Sequence, residues 1–253
     1  MNKYFTGSTL KIIAACCMLV DHVGQVVLKN GVVLNAPYSL FTDAQFSILL
    51  SAVNVCHMVG RIAFPIFCFL LVEGFLHTHS LKKYWLHVCI FALISEPIYD
   101  LANTGQLFSM EQQNVMFTLL LGLTVLTIIK KFNNRWPVSI LAIGAGAYIS
   151  YLCDLDGWYY GILLIGIFYL FRHTSVVKYA AAVVVMYVCG LDFSIHGWIA
   201  PYFLAAVSSL FLVYLYNGQR GRSMKYFFYM FYPLHLLGLF LIAAYLKTIL
   251  MPT

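Results

Sequence analysis

Long apolar stretches recur along the whole chain and are separated by short polar connections. A helix needs about 20 mainly apolar residues to cross the hydrocarbon core of a bilayer, and a unit of that length divides the chain into nine segments. The pattern therefore predicts an all-α fold, a polytopic integral membrane bundle of about nine transmembrane helices. The predicted helices cover residues 8–28, 60–77, 83–99, 115–129, 137–153, 157–171, 176–190, 197–216 and 226–247.

One further apolar segment, residues 46–58, does not fit this division. It is hydrophobic enough to lie in the membrane, but it is too short to cross before the next span begins at Gly60. We therefore expect a re-entrant or interfacial helix on the outer face. A tenth crossing at this point would invert the orientation of every later helix.

The distribution of basic residues predicts how the bundle is oriented. Cytoplasmic loops of membrane proteins carry an excess of Lys and Arg. With a cytoplasmic N-terminus and an outside C-terminus, only Lys29 and Lys247 lie outside. The inner ends and loops then receive Lys3, Lys82, Lys83, Lys130, Lys131, Arg135, Arg172, Lys178, Arg220, Arg222 and Lys225.

Composition agrees with a membrane protein and excludes an ordinary soluble enzyme. Of 253 residues, 62% are hydrophobic and only 9% are charged, and the mean hydropathy is +0.86. The apolar stretch at 10–28 is too long for a cleavable signal peptide, so we expect it to remain as a span. No linker divides the chain, which predicts a single domain over 1–253. The seven cysteines lack paired metal-ligand spacing, so no metal site is expected.

The first span is unusual because Lys11, Asp21 and His22 lie within it. An ionisable side chain at bilayer depth costs several kcal/mol and is tolerated mainly where it faces the bundle interior or a wet cavity. Lys11 and His22 are eleven positions apart, close to three helical turns, so they share a face about 16 Å long. This polar track is a candidate site.

Other polar residues in or beside the spans divide by depth. Glu73 and His77 are four apart on one helical face near the inner side, whereas Arg61 and Glu96 fall in the outer half. Lys11 and Arg61 could extend to the interface, and the histidines at the basic end are more often interfacial residues than ligands. A short acid or an imidazole at depth cannot reach the membrane surface in this way. The residues Asp21, His22, Arg61 and Glu73 together therefore favour a functional site.

The C-terminal part holds a second concentration of polar residues. A glycine-rich turn at 216–221 is followed by Arg222 and Lys225, and guanidinium and backbone N–H groups in such a turn can bind phosphates. An equally strong interpretation is that the charges only fix topology. His235, beyond Pro233 in the last span, either packs as a structural residue or lines a cavity, and the second is favoured.

Short motifs that stand out occur in order from about residue 8 to 236, nearly the whole chain. They are Thr9-Leu10-Lys11, Met18-Leu19-Val20-Asp21-His22-Val23-Gly24, Arg61-Ile62-Ala63-Phe64-Pro65, Glu73-Gly74-Phe75, Gln113-Asn114-Val115, Asp156-Gly157-Trp158-Tyr159-Tyr160-Gly161, Tyr216-Asn217-Gly218, Lys225-Tyr226-Phe227-Phe228-Tyr229 and Tyr232-Pro233-Leu234-His235. Taken together, this series of motifs resembles the TraX family, named for the acetyltransferase that modifies the N-terminus of conjugative F-pilin.

The resemblance extends to a larger superfamily, the membrane acyltransferase-3 and heparan-glucosaminide acetyltransferase proteins. In those relatives a basic or amide residue, commonly Arg or Asn, precedes an essential His by eleven positions, which is the separation of Lys11 and His22 here. The resemblance implies a bacterial inner-membrane acyltransferase that uses cytoplasmic acetyl-CoA. The acceptor would be an amine or hydroxyl on a peptide such as a pilin N-terminus, a glycan or a lipid.

The residues permit this chemistry. A neutral His22 can take the acceptor proton, and Arg61 can stabilise the thioester oxyanion. Asp21 is about 100° from His22 around the helix, so the carboxylate that orients the imidazole could instead be Glu73, Glu96 or Asp100. The predicted catalytic residues are His22, Asp21, Arg61 and Glu73. The predicted donor-binding residues are Lys11, Lys82, Lys83, Arg220, Arg222, Lys225, Tyr229 and His235. The predicted acceptor-binding residues are Gln113, Asn114, Glu96, Asp156 and Trp158.

The alternative is a proton-coupled secondary transporter or flippase in which buried acids and histidines relay protons. That class predicts paired repeats with broken helices at matching positions, and the sequence has no such pairing. A non-catalytic scaffold is disfavoured by the cost of so many buried ionisable groups.

Overall fold

The computed structural model describes residues 4–190 and 195–250, and the described residues form a helical bundle without β-sheet. The helices follow the apolar segments of the sequence closely. They are α1 (Gly7–His22), α2 (Asp43–His77), α3 (Leu81–Thr104), α4 (Val115–Lys131), α5 (Trp136–Leu152), α6 (Trp158–Leu170), α7 (Ser175–Cys189), α8 (Pro201–Tyr214) and α9 (Lys225–Leu250). A π-helical stretch, Val23–Val33, continues α1, and short 3₁₀ turns lie at Tyr38–Leu40 and Ile195–Ile199.

Four helical segments within the described residues are long and apolar enough to cross a membrane. They are Gly7–Val33, Asp43–His77, Leu81–Thr104 and Phe227–Leu250. The apolar helices α5 to α8 have between 13 and 17 residues, which is short for a perpendicular crossing of a hydrocarbon core about 30 Å thick. The chain is thus an all-helical protein with the spans of a membrane protein, and nine crossings remain a prediction.

The segment at 46–58 is not a separate re-entrant helix, so that prediction was wrong. Thr42 and Gln45 form a reciprocal cap, in which Gln45 N donates to Thr42 Oγ1 (3.3 Å) and Thr42 N donates to Gln45 Oε1 (2.9 Å). From this cap α2 runs without a break for 35 residues to His77. One glycine, Gly60, costs a helix only about 1 kcal/mol, so it does not end the helix. At about 52 Å the helix is longer than the hydrocarbon core is thick.

Two glycines let α1, with its π-helical continuation, lie close against α2. A Cβ placed on Gly60 would lie 2.3 Å from the Cγ of Asp21, and one on Gly24 would lie 2.5 Å from the Cβ of Cys56. Small residues at such contacts allow two membrane helices to approach closely. The sequence therefore sets the distance between α1 and α2 at the level of Asp21.

The buried apolar side chains form two clusters. The larger cluster joins α2, α4 and α6 through residues such as Ile66, Leu126 and Phe168. The smaller cluster packs α9 against α3 and the π-helical stretch, with Val26 and Leu236 at its centre. The last helix consequently returns beside the first, so residues at opposite ends of the sequence become neighbours.

The backbone ties the start of α1 to the turn after α8. We call this end of the bundle, which the basic residues predict to be cytoplasmic, the inner end, and the opposite part the outer half. Gly7 N donates to Gln219 O (2.8 Å), and Ser8 N donates to Arg220 O (3.0 Å), so the first N–H groups of α1 have carbonyl partners in the turn after α8. Gly221 in that turn has φ +70°, a conformation that favours glycine, and it packs against Thr6. The glycine-rich turn therefore has a fixed position at the mouth of the bundle.

Candidate functional site

His22 and His235 contact each other directly. His22 ends α1, His235 lies in α9, and the distance from His22 Nδ1 to His235 Nε2 is 2.6 Å across 213 positions of sequence. The two rings are nearly parallel, at 8°, with centroids 4.9 Å apart, and the ring of Tyr232 lies edge-on to His22. His235 was predicted to be a donor-binding residue, but the structure places it against the predicted base.

His235 also has an anchor within its own helix. Its Nδ1 lies 2.6 Å from the backbone oxygen of Phe231, one turn earlier in α9. A carbonyl oxygen can only accept a hydrogen bond, so Nδ1 of His235 carries the proton. The orientation of His235 is therefore set without any contribution from His22.

Asp21 has a partner that the sequence analysis missed. Its Oδ1 lies 2.7 Å from Nδ1 of His57, one turn before Gly60 on α2. Both side chains are partly exposed, with 33% and 20% of their surface accessible for Asp21 and His57 respectively. Asp21 therefore pairs with His57 and does not orient His22 or form an ion pair with Arg61. The signal for His57 was a histidine in an apolar segment, but that segment was assigned to a separate helix.

Arg61 packs against α8. Its guanidinium lies 5.7 Å from the centre of the Tyr202 ring, and the Tyr202 hydroxyl donates to the backbone oxygen of Asn54 at 3.3 Å. The side chain of Arg61 is exposed on the bundle, and its charge still acts on Asp156 in the connection between α5 and α6. Arg61 thus lies near the acidic residues of the outer half without a direct ion pair to Asp21.

The Glu96–Asn114 pair joins α3 to the start of α4. The backbone N–H of Asn114 donates to Glu96 Oε2 (3.0 Å), and its side-chain amide donates to the same oxygen and to Ala92 O. Asn114 Oδ1 accepts from Met116 N (2.9 Å) and so caps α4. All the polar atoms of the Asn114 side chain are used in these structural contacts. The predicted acceptor-binding role of Asn114 therefore has no free atom to support it.

Five side-chain polar atoms are buried without a hydrogen-bond partner among the described residues. Two are the hydroxyls of Ser95 and Tyr232, and the other three are Glu96 Oε1, Asp100 Oδ1 and Gln113 Nε2. The second oxygen of Asp100 accepts from Ser109 N (2.9 Å), so this carboxyl is held at one end only. Buried polar atoms without a partner are costly, and in an enzyme they are candidate contacts for a polar substrate group.

Asp156 and Trp158, predicted together as acceptor-binding residues, differ in position. Burial and the nearby charge of Asp21 raise the pKa of the Asp156 carboxyl to about 6, and the charge of Arg61 opposes the shift. Trp158 is exposed and packs in an aromatic group with Tyr151 and Tyr159 at the outer edge. The structure brings Asp156 towards Asp21 and leaves Trp158 at the periphery.

A cavity of about 620 Å³ runs from the basic end of the bundle towards the paired histidines. Lys83 and Arg220 line its mouth, Lys11 and Tyr229 line its wall, and Tyr232, the ring beside His22, lines its deep end. Four of the predicted donor-binding residues thus line one cavity. Among the others, Lys82 and Arg222 are exposed outside the lining, and the side chain of Lys225 lies outside the described set.

Within the described part of the chain, no acid forms an ion pair with Lys11, Lys83 or Arg220 of the cavity. Lys11 lies close enough to Arg220 for the two charges to repel, and its ammonium lies 5.8 Å from the centre of the Phe228 ring. Two cations that converge on one opening favour an anionic ligand. A mainly apolar cavity of this size, with cations at its mouth, can accept a ligand that joins an apolar part to anionic groups.

Glu73 lies in the cavity wall, not beside His22. Its carboxylate lies near the Tyr216 side chain, and Nδ1 of His77 lies 3.8 Å from Glu73 Oε2. Along α2 it is sixteen residues from His57, or about 24 Å. This distance prevents Glu73 from orienting His22, so the structure does not support its place in the predicted catalytic group.

Comparison with known proteins identifies the family. The chain is 28% identical over 251 residues to a protein named "Probable fimbrial assembly protein FimC, serogroup H1" from Dichelobacter nodosus, covering 93% of this chain and 94% of that protein. No solved structure matches the chain. The family model described as TraX protein matches residues 6–243, which include every residue of the cavity and of the histidine pair. The chain is therefore a member of the TraX family.

Proposed function

We propose that the protein is a membrane-embedded acyltransferase that moves an acetyl group from cytoplasmic acetyl-CoA to an amine or hydroxyl. The observation that carries the proposal is the cavity, which has unpaired cations at its mouth and ends at Tyr232, whose ring contacts His22. A transferase of this kind binds the donor phosphates at one end of a passage and holds the thioester beside the base at the other end. The acceptor is an envelope component, a peptide N-terminus, a glycan or a lipid, and the fimbrial name of the relative favours a pilin-like peptide.

Lys83 and Arg220 bind the phosphates of the donor at the mouth of the cavity. Charge-assisted contacts to phosphate are among the stronger hydrogen bonds, and Arg can make two at once. Lys11 lies deeper, where the first residues of α1 border the cavity. With the cytoplasmic N-terminus predicted from the basic residues, this mouth faces the cytoplasm, where acetyl-CoA is found.

His22 acts as the general base at the deep end. A neutral imidazole takes the proton of the attacking N–H or O–H as the new bond to the acetyl carbon forms and the carbon–sulfur bond breaks. His22 then returns this proton to the departing sulfur. Arg61 and the carboxyl groups of Glu96 and Asp156 lie on the outer side, where they bind and orient the acceptor.

The test is transfer by the purified protein in lipid nanodiscs, given radiolabelled acetyl-CoA and host envelope fractions. A labelled acceptor is expected with the wild type, and His22→Ala should lower turnover by about 10²- to 10⁴-fold with little change in coenzyme A binding. His173→Ala is the matched control, because His173 is exposed in the connection between α6 and α7. A normal rate in His22→Ala would contradict the assignment of the base.

The transporter alternative predicts a different result in the same preparation. In sealed vesicles it would give proton-coupled movement of a solute, with no labelled product and no binding of coenzyme A. A wild-type protein that binds no coenzyme A and labels no acceptor would contradict the transferase proposal.

A further inference from the structure

The hydrogen-bonding capacity of His235 has a consequence for His22. A neutral imidazole has one N–H donor and one bare nitrogen that accepts. Since the carbonyl of Phe231 takes the proton on Nδ1 of His235, Nε2 of His235 is the acceptor. The 2.6 Å contact then requires the proton of His22 to be on its Nδ1. The remaining nitrogen of His22, Nε2, is left with a free lone pair.

This tautomer is the one that a base in this position needs, and no neighbouring carboxylate imposes it. The nearest acid in sequence, Asp21, is already paired with His57 at 2.7 Å. Glu73 is too far along α2, and Glu96 makes its hydrogen bonds to Asn114. Among the residues that the structure describes, the ionisable side chains that act on His22 are Asp21, His57 and His235, and of these His235 is in hydrogen-bond contact with it.

We infer that His235 is the positioning residue of His22: its Nε2 accepts from Nδ1–H of His22 and so keeps Nε2 of His22 free to act as the base. This inference rests on the proposed function for its catalytic meaning, but the tautomer itself is a property of the protein without donor. When His22 takes a proton, the bond to His235 becomes charge-assisted and stronger. A second imidazole thus does the orienting work that a carboxylate does in the Ser-His-Asp triad.

The test compares two substitutions of His235 that differ in one property. His235→Gln places an amide oxygen near the position of Nε2 and keeps an acceptor for His22. His235→Leu fills a similar volume without any acceptor. His87→Leu is the matched control, because His87 makes the same Nδ1 contact to the carbonyl four residues earlier in α3, that of Lys83, but does not contact His22.

Turnover and the tautomer are both measured. His235→Leu should lower kcat by about 10²- to 10⁴-fold with little change in KM for acetyl-CoA. His235→Gln should recover at least tenfold of that loss, and His87→Leu should be near normal. In ¹⁵N-histidine NMR, without donor, His22 should be the Nδ1–H form in the wild type and His235→Gln, and should lose this preference in His235→Leu.

The outcomes separate the two proposals. If wild-type His22 carries its proton on Nε2, or if His235→Leu keeps both the tautomer and the rate, the inference is wrong. If His235→Gln loses as much turnover as His235→Leu, a structural role for His235 replaces the positioning role. If the wild type transfers no acetyl group but shows the expected tautomer, the proposed function fails while the pairing of the two histidines stands.

Discussion

Charged side chains in the two halves of the bundle differ in whether they have a partner within the protein. At the inner end Lys83 and Arg220 are exposed, lie in or beside turns, and line the same cavity as Lys11. In the outer half Asp21 and Glu96 each have a partner on another helix, His57 and Asn114 respectively. The inner charges are available to a ligand, whereas the outer ones are largely committed to the protein.

This contrast follows from solvation. A cation at a helix end can reach water through its long side chain, so it needs no protein partner. A short acid or imidazole at depth cannot, and it is stable only beside a hydrogen-bond partner. Substitutions at the inner end should therefore change ligand affinity, and substitutions in the outer half should change stability first.

The largest stability effect is expected for Gly60→Ala. The new methyl group would lie 2.3 Å from Asp21 Cγ, so α1 and α2 must separate or Asp21 must leave His57. Overpacking of this kind typically costs about 1–3 kcal/mol. Thermal unfolding of the variant and the wild type in detergent measures this loss of stability.

Gly144→Ala in α5 is the control for Gly60→Ala. A Cβ at Gly144 meets no heavy atom within 4 Å, and removal of a helical glycine should stabilise the protein by up to about 1 kcal/mol. Equal melting temperatures for the two variants would mean that the close contact of Gly60 with Asp21 is absent.

At the inner end, Arg220→Ala should weaken coenzyme A binding at least tenfold. One charge-assisted contact is worth about 1.5–3 kcal/mol. The loop should keep its position, since Arg220 is bonded to Ser8 through its backbone oxygen and not through its side chain. Calorimetric titration with coenzyme A measures the affinity, and the loss should diminish in high salt because the side chain is exposed.

Arg222→Ala sharpens the same comparison. Arg222 is in the same turn, and its backbone oxygen also accepts from Ser8, but its side chain does not line the cavity. Its substitution should change the affinity much less than Arg220→Ala. An equal loss of coenzyme A affinity in the two variants would show that the turn acts through its total charge and not through the position of the Arg220 guanidinium.

The smallest effect concerns pH. Burial raises the pKa of Asp156 from 3.8 to about 6, so the folded protein binds this proton more tightly than the unfolded chain does. The stability that this proton contributes is fully present below about pH 4 and is lost as pH rises through 6. Asparagine at position 156 cannot ionise. The melting temperature of Asp156→Asn should therefore rise relative to that of the wild type as the pH increases from 4 to 7. A constant difference across that range would contradict the raised pKa.

Much of the fold could be predicted from the sequence, because the lengths of the apolar segments and the positions of the polar residues between them are local properties. Apart from α2, which begins at Asp43 and not at Gly60, the helices lie on the predicted segments, and their ends differ by a few residues. The error at 46–58 came from treating Gly60 as a boundary, although in a helix packed against a neighbour a glycine is a contact point. The same error hid His57, which belongs to the face of α2 that meets Asp21.

The candidate site was predicted only in part. The sequence predicted that His22 and Asp21 need partners, and the structure gives each of them one. It also predicted that Lys11 and Arg220 bind the donor, and both line one cavity, although their binding of a donor stays a prediction. It named Glu73 as a catalytic residue, although α2 places its carboxylate in the cavity wall beside His77 and not beside His22. It also assigned Asn114 to a substrate, although the residue is used as a helix cap.

By itself the sequence determined that the chain forms apolar helices, that its basic residues gather at one end, and that the first helix carries ionisable groups that need partners. These properties depend on the hydrophobicity and spacing of neighbouring residues. Only the tertiary structure decided which residues are the partners of these ionisable groups. His22 meets His235 because α9 packs beside α1, and Asp21 meets His57 because two glycines bring α1 and α2 together. Contacts across 213 positions depend on which helix faces pack together, and no local pattern specifies that.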